Sequence, residues 1–316
     1  MSAKNAVNQI KENMKQIIIG KDQVIEQVLV CLLAKGHLLI EDVPGTGKTT
    51  LVKALAKSLG LTFSRIQFTP DLTPSDIIGV TQYSRKEEAF FFRQGPIFQQ
   101  IILADEINRT SPKTQSSLLQ VMEEGEITVE NTTYPLKQPF MVLATQNPIE
   151  YQGTFPLPEA QLDRFLMCIS IGYPGAQEEA EILSRGRSNQ RIEVLSSVAR
   201  GDLLLEMQGE VEEIFVHEQL RSYIVNLVQG TRGHRDIHLG ASPRGSIDLF
   251  RGAKALAYVR GRGYVTPDDI KEIAPAILCH RMLLAPEARI EGRRMPQVLA
   301  EVLKRTHIPG VSGREV

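Results

Sequence analysis

Along the first half of the chain, short apolar runs alternate with longer segments in which apolar residues recur every three or four positions. The runs at residues 37–41, 62–67, 101–105, 140–146 and 166–171 read as strands. Helices are expected at 6–18, 48–59 and 113–124, with a further one carrying Val24, Val28 and Cys31 on one face until Gly36 ends it. Strand and helix alternating in this way imply a mostly parallel sheet covered on both faces. Two segments break the alternation, 80–93 and 126–137, and each reads as a β-hairpin with charged or turn-prone residues at its centre. In the first, Phe90, Phe91 and Phe92 cannot all face one side of a strand. Three successive rings read as core before they read as a client grip, with at least one facing out or packing on another element.

After Pro174 the period is helical almost throughout. Ser242 can cap a helix with Pro243 at its first position, and Ile247, Phe250, Ala253 and Ala257 then line one face. Thr266, Pro267 and Asp269 begin another in the same way. The change of pattern divides the 316 residues into an α/β part, 1–174, and a helical part, 175–316, in keeping with the two domains that this length favours.

Two of the predicted strands end in chemistry. EDVPGTGKTT, residues 41–50, lies directly after an apolar strand and directly before a helix, where a phosphate cradle belongs. Gly45 and Gly47 let the backbone wrap closely with its N–H groups turned inward, and Pro44, Thr46 and Thr50 complete the loop. Lys48 would reach the β- and γ-phosphates, and Thr49 would place its hydroxyl on magnesium. Asp42 stands where the usual phosphate-loop pattern begins with glycine, so only the G-T-G-K-T core is kept. The plainer alternative is a glycine turn with a surface lysine. IILADEIN, residues 101–108, is an apolar strand ending in two acids. Asp105 would hold magnesium through water, and Glu106 would orient or deprotonate the water attacking a γ-phosphate. Taken alone, it could also be a strand entering a solvated acidic turn.

Charge and cysteine usage narrow the classes. With 36 basic against 37 acidic residues, bulk electrostatics do not favour a nucleic-acid polyanion as the main partner. The amino-terminal stretch is polar and the longest apolar run, residues 28–34, is too short to span lipid, so a cytosolic protein without membrane insertion is expected. Cys31, Cys168 and Cys279 sit among apolar neighbours and read as free thiols. His234 and His238 have helical ligand spacing, but Gly233 and Gly240 bracket them in a predicted loop, which disfavours a metal site.

The stretches LLIEDVPGTGKT, FTPDLTPSDIIG, DEINRTSPKTQSSLLQVMEEGEITV, LATQNPIEYQGTFPLPEAQLDRF and GASPRGS cover most of residues 37–246. In wording and order they resemble the MoxR family of AAA+ ATPases. The resemblance implies a P-loop AAA+ core with β-hairpin inserts, a C-terminal all-α lid, ATP and Mg2+ as ligands, and a homo-oligomeric, hexameric ring. It implies that Asn147 is the first sensor, near the attacking water, and that Arg164 is an arginine finger presented to the nucleotide of a neighbouring subunit. Arg244 resembles the second sensor, which reaches from the lid onto the γ-phosphate, and Ile19 and Gly20 the segment flanking adenine. Arg109 is a candidate contact across the subunit interface.

Each of these residues has a plainer reading. Asn147 could cap a turn, Arg164 could form an ordinary intramolecular salt bridge with Asp163, Glu159 or a neighbour, and Ile19 and Gly20 could mark a helix break. Arg109 could be a solvated loop residue. Arg244 could be a solvated helix start, although a cation there faces the positive end of the helix. The output that the resemblance implies is chaperone-like remodelling or activation of a client complex, with a von Willebrand factor A domain protein as partner and the inserts contacting the client. The alternatives are the ATPase subunit of a metal-chelatase, a nucleic-acid motor, and a nucleotide-gated scaffold that barely hydrolyses ATP, which the presence of Glu106 and Arg164 disfavours.

Overall fold

A computed structural model of the chain describes residues 3–147, 153–185 and 192–308. Residues 148–152, part of the stretch resembling the first sensor, therefore lie outside the described residues. In chain order the strands of the α/β part are β1 (Leu38–Glu41), β2 (Phe63–Gln67), β3 (Gly79–Ser84), β4 (Ala89–Gln94), β5 (Ile101–Asp105), β6 (Glu126–Val129), β7 (Thr132–Pro135), β8 (Met141–Gln146) and β9 (Met167–Ile169). The helices are α1 (Ala3–Lys15), α2 (Asp22–Leu33), α3 (Lys48–Ser58), α4 (Pro74–Ile78), α5 (Pro112–Glu124), α6 (Glu159–Leu162) and α7 (Ala176–Arg185).

Five strands form one parallel sheet in the order β2-β5-β8-β1-β9. Side chains alternate across it, as the two-residue period of a strand requires. Leu38, Ile40, Ile101, Leu103, Met141 and Leu143 pack with α1, α2 and α3, whereas Leu39, Ile102, Ala104, Val142 and Ala144 pack with Leu118, Leu119 and Met122 of α5. Both faces are covered, which is why these strands read as unbroken apolar runs.

The predicted hairpins are the antiparallel pairs β3–β4 and β6–β7. In the first of them the three phenylalanines divide, as the alternation of a strand requires, but fewer are covered than the core reading expects. Phe90 is 75% and Phe91 42% exposed, Phe90 meeting only Tyr83 of the same hairpin edge-on among the ring contacts of the described residues, whereas Phe92 is half-buried against Tyr134 of the second hairpin and Phe98. The hairpin pairs only with itself, so a ring on it is buried only where the second hairpin meets it.

The carboxyl-terminal part is built from the helices Gly201–Glu212, Glu218–Arg232, Pro243–Val259, Pro267–Leu278, Pro286–Ile290 and Met295–Arg305. A short antiparallel ladder, Ile237–Leu239 with Leu283–Leu284, is too brief to have shown a period. The helix expected to start at Thr266, Pro267 and Asp269 does so, with Thr266 and Asp269 forming a capping box. The stripe expected on Pro243–Val259 is rotated. Ala253 and Ala257 are buried as expected and Phe250 is half-buried, but Ile247 is 58% exposed, and Leu249, Gly252 and Leu256 face inward as well. Gly252 fixes that orientation, since a Cβ there would come within 2.5 Å of Ile277 Cδ1. These lid residues belong to the same apolar cluster as α1, α2 and one face of the sheet, so lid and sheet share a continuous core. Among the described residues, no helix is long and apolar enough to cross a membrane. The three cysteines are free, and burial pushes the Cys31, Cys168 and Cys279 thiols up, the last to about 12.

Two half-buried histidines hold the sheet to its surroundings. His37 Nδ1 accepts from Val142 N–H (3.0 Å) and its Nε2–H donates to Met122 O (2.9 Å), while His280 Nε2–H donates to Phe165 O (3.0 Å). Burial pushes the first down to about 4. Burial, with the Arg281 charge beside it, pushes the second down to about 3. Unfolded, both titrate near 6.5. As pH falls below that value the unfolded chain takes up protons that the folded chain refuses, until the folded rings titrate in turn. Between about pH 7 and 8, below the range in which unfolded thiols ionise, unfolding free energy from urea titrations should therefore be constant, and it should decline as pH is lowered from about 6.5 towards 4. The decline should reach up to about 1.4 kcal/mol per pH unit for each ring. A flat profile between pH 6.5 and 5, above the carboxylate range, would contradict the burial of both rings.

Candidate active site

The phosphate loop starts where β1 ends. α3 begins at Lys48 with Gly47 as its N-cap, and Gly45 and Gly47 both have φ of 86°, where an L side chain is strained. A Cβ on either would meet nothing within 4 Å, so both glycines border open space. The first turn of α3 contains no acid, leaving its free N–H groups and positive end uncompensated by its own side chains. Lys48 Nζ donates to the carbonyl oxygens of Asp42 and Val43, both at 2.9 Å, which uses two of its three protons. Thr49 and Thr50 are half-buried in the same turn, while Pro44 is exposed at the bend.

Asp42, the departure from the glycine pattern, turns out to be a tie. It is buried; Oδ1 accepts from Val43 N–H (2.9 Å), and Oδ2 accepts from the N–H groups of Ile171 (2.8 Å) and Gly172 (2.7 Å). One carboxylate thus joins the start of the phosphate loop to the segment that leaves β9 towards the lid. Glycine could make none of these bonds.

Strand order brings the second half of the site alongside. β8 lies between β5 and β1, so the carboxyl ends of all three are neighbours, and Asp42 N–H donates to Gln146 O at 3.2 Å. Thr145 on β8 is the hub: its hydroxyl donates to Asp105 Oδ1 (2.7 Å) and accepts from Glu106 N–H (2.9 Å). Asp105 Oδ2 accepts from Arg65 Nε (3.0 Å) and NH2 (2.7 Å). Arg65 NH2 also donates to Gln67 Oε1 (2.7 Å), and Gln67 Nε2 donates to Glu106 Oε2 (2.8 Å), which Arg109 NH1 also reaches at 3.1 Å. Glu106 has φ of 58°, a left-handed conformation uncommon for a side-chain-bearing residue, and this turns it out of the strand. Buried Gln115 supports the turn from below, donating to the carbonyls of Ile107 (3.2 Å), Thr110 (3.3 Å) and Phe155 (2.9 Å). Asn147, directly after β8, is buried at the same edge.

Beside the phosphate loop lies a cavity of about 290 Å³, walled by Ile18, Ile19 and Val24, by the loop and Leu51, and by Ile171 to Pro174. Ile19 lines it. Gly20 does not: it has φ of 68°, and the Glu178 carboxylate packs against its α-carbon. Lys21 Nζ donates to Tyr173 O (2.8 Å) across the rim.

Arg164 and Arg244 are brought together, but elsewhere. Both pair with Glu123, Arg164 NH2 at 3.2 Å and Arg244 NH1 at 3.1 Å. α5 starts just after Glu106 and runs back along the sheet, and its Met122 carbonyl binds His37, the residue before β1. Glu123 therefore lies near the amino-terminal edge of the sheet, about 13 Å of strand from the phosphate loop. Arg244 does not rest on the phosphate loop of its own chain, and Glu123 supplies the anion that its place at a helix start needs. Arg164 takes Glu123 as partner rather than Asp163, whose oxygens accept from Arg281 NH1 (2.9 Å) and Ser242 Oγ (3.0 Å).

Arg65, Gln67, Thr145, Gln115 and Glu123 were not singled out in the sequence. The signal for Arg65 and Gln67 was their alternation on β2, which gains meaning only once β2 is known to lie beside β5. His234, Asp236 and Glu301 also cluster within 4.8 Å, but Arg293 pairs with both carboxylates, at 2.7 Å from Asp236, and so supplies the positive charge there.

Comparison with known proteins agrees with this geometry. Residues 37–167 match the ATPase family associated with various cellular activities (AAA), and residues 229–302 match the AAA lid domain. The chain is 50% identical to YeaC of Bacillus subtilis over 94% of this chain and 93% of that one. It is 45% identical to Chaperone MoxR1 of Mycobacterium tuberculosis, over 95% of this chain and 81% of that one. The crystal structure of a candidate ATPase from Cytophaga hutchinsonii superposes with a TM-score of 0.90 at 40% identity, covering 97% of this chain and 96% of that one. With phosphate loop, acidic strand end and helical lid in this arrangement, and with such relatives over nearly its whole length, the chain belongs to the MoxR family of AAA+ ATPases.

Proposed function

We propose that the protein is a Mg2+-dependent ATPase that works as a ring of identical subunits and uses hydrolysis to remodel or activate a client protein complex. The observation that carries this reading is the separation within one chain. The phosphate loop and the acids lie at one edge of the sheet, and the arginine pair lies near the other. A site with both halves then needs two chains, with Arg164 and Arg244 of one serving the triphosphate of the next.

The residues present fit such ligands. The two bare glycines and the α3 start suit a triphosphate, and the apolar cavity beside Ile19 suits its base. The Thr49 hydroxyl and the Asp105 carboxylate are the hard oxygen donors that Mg2+ prefers, Asp105 acting through water because Thr145 and Arg65 engage both its oxygens. When bound, Mg2+ neutralises charge on the phosphate oxygens. Lys48 exchanges the carbonyls of Asp42 and Val43 for phosphate oxygens. Glu106, held by Gln67 and Arg109, takes the proton of the attacking water, and Asn147 orients that water. Arg164 of the neighbouring subunit contributes about 10³ to 10⁵ in rate, roughly 4 to 7 kcal/mol of barrier.

The exposed rings of β3–β4, Phe90 and Tyr83, offer the client a contact. The remodelling role draws support from the name of the M. tuberculosis relative, Chaperone MoxR1. A von Willebrand factor A domain protein is the partner expected of the family, and the cytosol the expected compartment. A near-neutral chain has little to supply the phosphate contacts of a nucleic-acid motor.

Lys48→Ala should abolish equilibrium binding of a fluorescent ATP analogue, whereas Glu106→Gln should bind it normally and release phosphate at least about 10²-fold more slowly. Equal loss of binding in both would contradict these two roles. Arg164→Ala should bind ATP yet hydrolyse it about 10³-fold more slowly, and activity should return on mixing with Glu106→Gln subunits, which supply intact arginines. Turnover per subunit should rise with protein concentration. Stimulation by single-stranded DNA, with none by a von Willebrand partner, would overturn the remodelling role.

A further inference from the structure

Asp163 is bonded to neither arginine, yet it touches the segments that carry both of them. It immediately precedes Arg164. Its Oδ2 accepts from Ser242, which lies two residues before Arg244 and is the N-cap of Pro243–Val259. An N-cap serine ordinarily turns its hydroxyl onto the backbone of its own helix. Ser242 makes no such bond and spends the hydroxyl on Asp163. The other oxygen, Oδ1, accepts from Arg281, which is buried and itself fixed by Asp248 Oδ2 (2.6 Å) and Phe165 O (2.5 Å).

We infer that Asp163 is a positioning residue that holds Arg164 and Arg244 as one unit for the neighbouring subunit's site. This rests on the reading that the arginines act between subunits. Two guanidinium groups sharing one carboxylate repel each other, and Glu123, with its side chain 47% exposed, is a weak and exchangeable partner. Once phosphate replaces Glu123, the segments that carry the two cations must be held together by something other than that carboxylate. Asp163 supplies that constraint by tying the arginine-finger segment after α6 to the start of the lid helix, and both to the buried Arg281.

The test uses mixed rings. Asp163→Asn keeps the size of the side chain but loses the charge facing Arg281 and one acceptor oxygen. On its own it should bind the ATP analogue with unchanged affinity and show a kcat lower by about 10²-fold. Mixed with Lys48→Ala subunits, which bind no nucleotide but present intact arginines, it should regain turnover, as the Arg164→Ala control should in the same mixture. Rescue of Arg164→Ala without rescue of Asp163→Asn overturns the positioning role and leaves action between subunits intact. Failure of both overturns the intersubunit reading and this inference with it. Wild-type kcat for Asp163→Asn alone overturns the inference directly. If Asp163→Asn does not fold, as judged by its thermal transition, Ser242→Ala removes only the hydroxyl tie. It should give a smaller kcat loss with the same rescue, and unchanged kcat there overturns the role.

Discussion

The insertion of β8 between β5 and β1 is the constraint on which the site depends. It puts the end of the phosphate-loop strand, the buried Asp105 and the left-handed Glu106 within reach of a single side chain, Thr145, and of Gln146 and Asn147 beyond it. With β8 at the sheet's margin, Thr145 could not stand between the acids and the loop, and no local sequence feature could restore that bridge. The same order also places β2 next to β5, so that Arg65 and Gln67 complete the electrostatic surroundings of both acids.

Asp42 aside, which backbone N–H groups hold, charges drawn into this frame are answered by others. Asp105 is met by Arg65, Arg281 by Asp248 and Asp163, and Asp269 by Arg262. Bringing such groups out of water is costly, and pairing in the interior offsets that cost without necessarily adding stability. What the pairs contribute is direction. Arg281 fixes where the lid meets the segment after α6, and Arg65 fixes which way the Asp105 carboxylate points.

Much of this was legible in the residues alone, for physical reasons that differ from element to element. The phosphate loop and the acidic strand end are local: strand, glycines, lysine and helix follow one another in the chain, so spacing suffices. The hairpins and the capping box at Thr266 are equally local. The role of Asp42 was not legible, because its partners are backbone N–H groups of residues 171 and 172, which no side-chain pattern encodes. Nor was the exposure of Phe90 and Phe91, since hydrophobicity states what a residue prefers and not whether a neighbour arrives to cover it. The rotated stripe of Pro243–Val259 has a related cause. Gly252 carries no apolar side chain to count, yet its bareness is what admits Ile277.

The apolar cluster joining lid helices to α1, α2 and one sheet face has a bearing on how such proteins diversify. A cut at residue 174 would pass between two sets of side chains that exclude water for each other. Division of labour along the chain is therefore not division of folding. A lineage that exchanged its lid for another would have to carry the amino-terminal helices with it, or rebuild the seam residue by residue.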